Sequence, residues 1–396
     1  MTIAIGRRRM MAETGALLSL GALAGCAGPM TKGSPSFAAS SSVLQLPRIN
    51  AGVDRITRIN VCTRPFRPQG PRLDVESIAG KTVVHNYGHG GSGWSLSWGS
   101  SAIASDKALA TGEKQIAVIG AGALGLTSAL TLQRAGAKVV IYAKELPPNV
   151  RSSLATGSFT PDSRICFEEH VTPAFKTLWE GMCRRSFLAY QDLLGLPGDP
   201  IEYIDTYAVV DSLSGFQPRE RPAGDTRPEF ARLQRELTPD LIVRGPTYGP
   251  GQHPFGQRYV RPTSHLMFNI VEYSHYLLSE FHQYGGRIEI TEFHNAAEFA
   301  RLPERTIINA TGYGARALLG DNSIIPVRGQ TTRGIPQPDV HYGLSYRGNS
   351  FLPRRDGFLF QHGGDEYQGF NDATALPDRA EAEDTVKGIA QLFAGS

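Results

Sequence analysis

Two glycine-rich stretches carry most of the chemistry legible in this chain. One is a GxGxxG, Gly120-Ala121-Gly122-Ala123-Leu124-Gly125. Its glycines have separate tasks. Gly120 permits a tight turn, Gly122 lets backbone approach a pyrophosphate, and Gly125 lets a helix pack closely on a strand. An anion then sits at the N-terminus of the helix that starts at Ala123, where unpaired N–H groups and the helix dipole favour it. Glu145, beside Lys144, lies twenty residues after Gly125, a spacing at which an acidic side chain can take a ribose hydroxyl. The other stretch, "VVHNYGHGGSGWSLSWG" (83–99), sets glycines among two histidines, a tyrosine and two tryptophans. Such a run lets backbone approach something flat or anionic.

These motifs need elements to hold them, and the hydrophobic pattern supplies some. Ile116–Ile119 is a short apolar strand, and Ala123, Leu126, Ala129, Leu130 and Leu132 recur at helical spacing. Gly136 stops that helix and 138–143 is a second strand, so 114–145 forms a strand–turn–helix–strand unit. The patterns predict helices over 173–196, 265–286 and 377–393. Residues 306–315 predict a buried strand entering a tight turn, and 341–364 strands and loops. Residues 212–263, rich in proline and glycine, predict long surface loops.

The 396 residues suffice for one large or two medium domains. Net charge is +3. Residues 1–25 contribute Arg7, Arg8, Arg9 and Glu13, which leaves +1 for the remainder. There is no concentrated basic face for nucleic acid. The N-terminus has a basic start, an apolar stretch too short to span a membrane, then a cysteine, and reads as an export signal over 1–26. Arg7-Arg8-Arg9-Met10-Met11 resembles a twin-arginine signal. Leu23-Ala24-Gly25-Cys26 resembles a bacterial lipoprotein box, in which lipid on Cys26 would tether the protein to a membrane. Ordinary secretory cleavage, or none, is the alternative. Residues 27–42 read as a flexible tether. This reading places the protein in the periplasm or anchored at a bacterial membrane. Cys62, Cys166 and Cys183 are too sparse for a disulfide framework and lack zinc spacing, so no metal is expected and they read as buried apolar fillers.

Taken together, the pieces resemble the D-amino-acid oxidase family of flavin-dependent oxidases. The resemblance is carried by Gly120-Ala121-Gly122, Asn309-Ala310-Thr311-Gly312, Arg328-Gly329-Gln330, Arg64-Pro65-Phe66-Arg67-Pro68 and the run from His85 to Gly93. In the family the last two motifs close the chain, whereas here they precede GxGxxG. The order implies a circular permutation, with 43–110 the displaced C-terminal segment. An independent N-terminal domain is the alternative. The fold implied is α/β, a Rossmann-type FAD-binding domain with a parallel sheet, interleaved with a mixed-sheet substrate domain. The first would take 43–195, 286–328 and 378–396, and the second 196–285 and 329–377.

The resemblance implies FAD as cofactor and an amino acid or amine as substrate. It lays Gly90, Gly91, Ser92, Gly93, Trp94 and Ser95 along the flavin, with glycine N–H groups reaching the ring. Gly91 then belongs to the catalytic set, because a positive backbone edge stabilises charge on reduced flavin. His85 and His89 are structural. Arg151, Ser152 and Gly157 wrap the cofactor, and Thr311 and Gly312 end the returning strand beside it. Lys144 replaces a family acidic residue, which shifts the ribose contact to Glu145. Arg64 grips the substrate carboxylate through two parallel bonds. Tyr346 stands over the substrate, and Ser350 occupies the place of a second family tyrosine, which leaves side-chain specificity open. The implied reaction is oxidative deamination of a D-amino acid. Hydride passes from Cα to flavin N5, the imino acid hydrolyses to a 2-oxo acid and ammonia, and oxygen accepts the electrons. No side-chain base is required. Two alternatives stay open: a membrane-tethered dehydrogenase serving a quinone or carrier, and a degenerate flavoprotein that binds ligand without turnover.

Overall fold

The computed structural model describes residues 43–217 and 223–394; the export signal and tether read over 1–42 lie outside them. The chain lays down β1 (Ile56–Phe66), β2 (Val75–Ile78), β3 (Lys81–His85) and helix α1 (Gly93–Leu109). The strand–helix–strand unit follows as β4 (Gln115–Ile119), α2 (Ala123–Arg134) and β5 (Lys138–Ala143). Then come α3 (Pro173–Gln191), β6 (Ile201–Val210), the short α4 (Leu233–Leu237), β7 (Val243–Arg244), β8 (Tyr259–Phe268) and α5 (Ile270–Gln283). After β9 (Arg287–Ile290), β10 (Thr306–Asn309) and α6 (Ala315–Leu319), the chain adds β11 (Ile325–Gly334), β12 (Tyr342–Tyr346), β13 (Asn349–Leu352), β14 (Phe358–His362) and α7 (Arg379–Ala390).

A six-stranded sheet runs β2-β3-β10-β4-β5-β9. All its pairings are parallel except β2 with β3. Central β10 is buried at every position and β4 from Ile116 to Ile119, as expected for strands covered on both faces. An eight-stranded sheet runs β1-β11-β14-β13-β12-β6-β8-β7, with β12 and β6 its single parallel pair.

Four sequence expectations differ from this arrangement. Helix α1 begins inside the glycine run, where no helix was expected. Twelve of its residues are buried, so it presents no polar stripe to betray a helical period. Its serines and glycine make burial affordable. Gly99 lies where a Cβ would meet the Met182 backbone of α3, and Ser101 Oγ meets Thr127 Oγ1 of α2 at 2.8 Å. The helix expected from 265 starts at Ile270, because Leu266 and Phe268 pair with Tyr203 and Ile201 of β6. The loops expected over 212–263 include β7 and the start of β8. Lastly, the domain boundaries do not follow the sheets. β1 joins the large sheet, with Ile59 opposite Thr332. Helix α5 packs on α2, where Gln133 Nε2 donates to the Phe281 carbonyl at 3.0 Å. Helix α7 buries Val386 and Ile389 against Phe351 and Phe360 of the large sheet.

Candidate active site

One cavity of roughly 700 Å³ opens between the two sheets, within the range of cofactor and substrate sites. Its first arm is built by the β4–α2 turn. Gly120 has φ +109 and Gly122 faces Ser152, so that a Cβ there would come within 3.1 Å of Ser152 Oγ. Ser152 Oγ accepts the Ala123 N–H at 3.1 Å; the N–H groups of Leu124 and Gly125 meet no acceptor among the described residues. Gly125 lies behind the cavity wall, where a Cβ would sit 2.0 Å from the Gly120 carbonyl oxygen. Lys144 and Glu145 line the far end, and Lys144 Nζ reaches Glu292 at 3.4 Å. Arg151, Gly157, Thr311 and Gly312 also line the cavity, and the Arg151 guanidinium stacks 5.2 Å from the Tyr313 ring centre.

The second arm is the start of α1. Its first three N–H groups, on Gly93, Trp94 and Ser95, meet no acceptor among the described residues. Two long helices therefore aim free donors into one space, a setting that favours negative charge. Trp94 lines the space and ties the arms together, its indole N–H donating to the Ser152 carbonyl at 2.8 Å.

Here the structure corrects part of the sequence reading. The N–H groups of Gly90 and Gly91 are already committed, to the Pro65 carbonyl at 2.9 Å and the Ser163 carbonyl at 2.8 Å. These glycines serve close packing on the 163–164 turn. Gly90 has φ +56 and no room for a Cβ against the Arg164 carbonyl. The donors facing the cavity come instead from the helix that follows. Ser92 and Ser95 point away from it. Ser92 Oγ donates to the Ser163 carbonyl at 3.1 Å, and Ser95 Oγ accepts the Thr160 N–H at 2.8 Å. His89 is fully buried, with Nε2 2.7 Å from Ser100 Oγ. Burial, helped by the nearby Arg67 charge, pushes its pKa down to about 3, so it is neutral. His85 is likewise buried and bridges Glu76 and Asn309.

Arg64 stands at the junction of the arms with the large sheet. It lies on β1 opposite Val327, and its Nη1 donates to the Arg328 carbonyl at 3.2 Å. No other protein acceptor among the described residues takes its N–H groups, which leaves an edge free for a carboxylate. Gly329 is the seat of this guanidinium. A Cβ there would lie 2.6 Å from Arg64 Cζ. Arg328 is itself held by Glu381 of α7 at 3.1 Å. Gly329→Ala is therefore expected to displace Arg64 and raise KM for a carboxylate substrate by about tenfold or more, with flavin content retained; steady-state kinetics on the loaded variant checks this.

Tyr346 is not at this site. Tyr342, Leu344 and Tyr346 share the face of β12 that packs into the α7 core, with Tyr346 almost fully buried. Its hydroxyl donates to Asp211 at 3.0 Å and accepts from Arg258 Nε at 3.2 Å. Tyr346→Phe should cost about 1 kcal/mol of stability and leave substrate KM unchanged, measurable by thermal denaturation beside kinetics. Ser350 does line the cavity, its Oγ donating to the Gln361 carbonyl at 3.2 Å.

Several lining residues were not foreseen: Cys62, Arg164, Gln361, His362 and Gln368. None belongs to a local pattern; they meet only through strand pairing and loop packing. Cys62 is half-buried at the cavity, unlike Cys166 and Cys183, whose thiols burial pushes up to about 12.

The glycine cradle, the two donor-bearing helix ends and the acidic end of β5 fit an elongated dinucleotide with a phosphate at its middle. The profile of the DAO family, described as FAD dependent oxidoreductase, matches residues 115–395. A D-amino acid oxidase from Dugesia ryukyuensis is 25% identical over 283 residues, 71% of this chain and 78% of that protein. A D-amino-acid oxidase from Dictyostelium discoideum is 25% identical over 284 residues, 69% of this chain and 72% of that protein. Among solved structures, an iminodiacetate oxidase from Chelativorans sp. BNC1 is 17% identical with a TM-score of 0.47, covering 71% of this chain and 80% of that one. A match extending from the first residue of β4 to beyond α7 leaves one conclusion: this chain belongs to the DAO family of FAD-dependent oxidoreductases.

Proposed function

We propose that the chain oxidises the Cα–N bond of a D-amino acid and passes the electrons to oxygen. The observation that carries this is Arg64: a guanidinium with a free edge, seated on Gly329, in the same cavity as the glycine cradle and the two helix N-termini. Arg64 takes the substrate carboxylate and so fixes where Cα stands. When bound, FAD accepts the hydrogen and electron pair that leave Cα. The free N–H groups of Gly93 and Trp94, both lining the cavity, stabilise negative charge arising there. His89, neutral and held by Ser100, serves as scaffold. The imine product then hydrolyses in water to a 2-oxo acid and ammonia. The preference for D over L follows the names of the relatives.

The test is the visible spectrum of the purified holoenzyme without air, before and after D- and L-amino acids. Bleaching by D-amino acids supports the reading, and bleaching by L-amino acids alone reverses the stereochemistry. A spectrum unchanged by every amino acid would leave a binding-only flavoprotein. Oxygen consumption during turnover supports oxygen as acceptor; reduced flavin that persists in air until a quinone is added would assign a dehydrogenase.

We also infer circular permutation and export. The family match begins at residue 115, while the preceding segment supplies β1 to one sheet and β3 to the other. Ile49 near its start and Phe393 near the end of the chain share one apolar cluster, so the ends lie where a permutation can exchange them. Export rests on Arg7, Arg8 and the Leu23–Cys26 box; the mass of the protein recovered from membranes tests for lipid on Cys26.

A further inference from the structure

Of the four arginines that line the cavity, Arg64 holds the carboxylate, Arg151 stacks on Tyr313 and Arg328 pairs with Glu381, whereas Arg164 has no part in the reaction as drawn. It sits on the turn that packs against Gly90 and Gly91, with its own φ at +50. Its Nε donates to the Glu366 carbonyl at 2.8 Å, and its guanidinium carbon lies 6.0 Å from the Phe230 ring centre. Its terminal nitrogens meet no acceptor among the described residues. The neighbouring carboxylates are engaged elsewhere, Glu366 with Arg232 at 2.9 Å and Asp365 with Arg227 at 2.9 Å. Burial first, then the Arg64 charge, push the Arg164 pKa down to about 10 against the attraction of Glu366 and Asp365, which leaves it charged at neutral pH.

Arg64 and Arg164 both line this cavity with no carboxylate hydrogen-bonded to their terminal nitrogens among the described residues, an arrangement that an anion held between them would stabilise. The other largely buried arginines do not stand in this position. Arg67 meets Asp321, Arg328 meets Glu381, and Arg333 and Arg354 share Asp356. The cofactor's phosphates do not fill the role, because the free N–H groups of Leu124 and Gly125 at the start of α2 offer them a place in the other arm. We propose that the substrate carries a second carboxylate, bound by Arg164 while Arg64 holds the first, so that the preferred substrate is an amino acid with an acidic side chain. This rests on Arg64 as the carboxylate clamp of the proposed reaction.

The test measures flavin reduction in the loaded enzyme without air, using both enantiomers of aspartate and glutamate beside asparagine and glutamine. Each acid differs from its amide by the charge alone. The acids should be favoured by about 30-fold, the scale of one charge-assisted contact, and Arg164→Met should bring that acid-to-amide ratio down to about one. Arg164→Lys, which keeps charge without the fork, should retain part of the preference. Flavin content and melting temperature report whether each variant is folded and loaded. An equal response to acid and amide in the wild type, or an Arg164→Met change that leaves the ratio intact, overturns the second-carboxylate site while leaving the oxidase reading in place. Reduction by no amino acid at all overturns both.

Discussion

Arg64→Ala abolishes amino-acid-dependent flavin reduction at ordinary substrate concentrations; that is the largest catalytic effect expected from a single substitution in this protein. A forked, charge-assisted contact to a partly buried carboxylate costs about 3–5 kcal/mol to truncate, or roughly 10²- to 10⁴-fold in the rate at low substrate. Fold and cofactor should survive, because the Arg64 side chain makes one hydrogen bond to the protein, to the Arg328 carbonyl at 3.2 Å. Arg64→Lys should fall between, since an ammonium keeps the charge but cannot present two parallel donors. The measurement is anaerobic flavin reduction across a substrate titration, with flavin absorbance confirming equal loading. A variant that reduces as fast as the wild type would remove Arg64 from the site.

Gly125→Ala should give protein that fails to retain FAD. A methyl at this position would sit 2.0 Å from the Gly120 carbonyl oxygen and 3.7 Å from Ala310 Cβ. The first contact is with backbone in a turn whose Gly120 already holds φ +109, so neither side can give way by rotating a side chain. Helix α2 must lift from β4 and β10, and its N–H groups leave the place where they meet a phosphate. The overpacking costs about 1–3 kcal/mol or more in stability, and the loss of cofactor adds to it through linkage. Absorbance of bound flavin after purification, beside the melting temperature with and without added FAD, measures both. Full flavin content with an unshifted melting temperature would show that α2 can move without cost and that the close crossing has no bearing on the cradle.

The unit from β4 to β5 was legible because everything it needs is local. The apolar run at Ile116–Ile119, the helical recurrence from Ala123 to Leu132 and the three glycines lie within one strand–helix–strand stretch, and each residue's task follows from its neighbours in the chain. FAD, the α/β class and the family followed from the same stretch together with the Arg64 and His85–Gly93 motifs. What the sequence by itself determined is therefore what depends on short spacing: a glycine turn that opens a helix toward an anion, and an arginine of a type able to fork onto a carboxylate.

The rest was decided by contacts between distant segments. Helix α1 is buried on nearly every side, so its residues carry no amphipathic stripe, and its serines find their partners in distant segments, Ser97 at Tyr190 of α3, Ser101 at Thr127 of α2 and Ser95 at Thr160. Tyr342, Leu344 and Tyr346 alternate with Gly343 and Ser345, but pairing with β6 and β13 selects the face turned to the core. That choice removed Tyr346 from the site. The N–H groups of Gly90 and Gly91 were taken by the carbonyls of Pro65 and Ser163. Arg164, invisible in the sequence as a lone arginine in a loop, reached the cavity because the same turn packs under those glycines. A side chain's period along the chain reports which neighbours it shares an element with; which face meets a cavity, and which donor remains free there, is set only when strands pair and loops close around them.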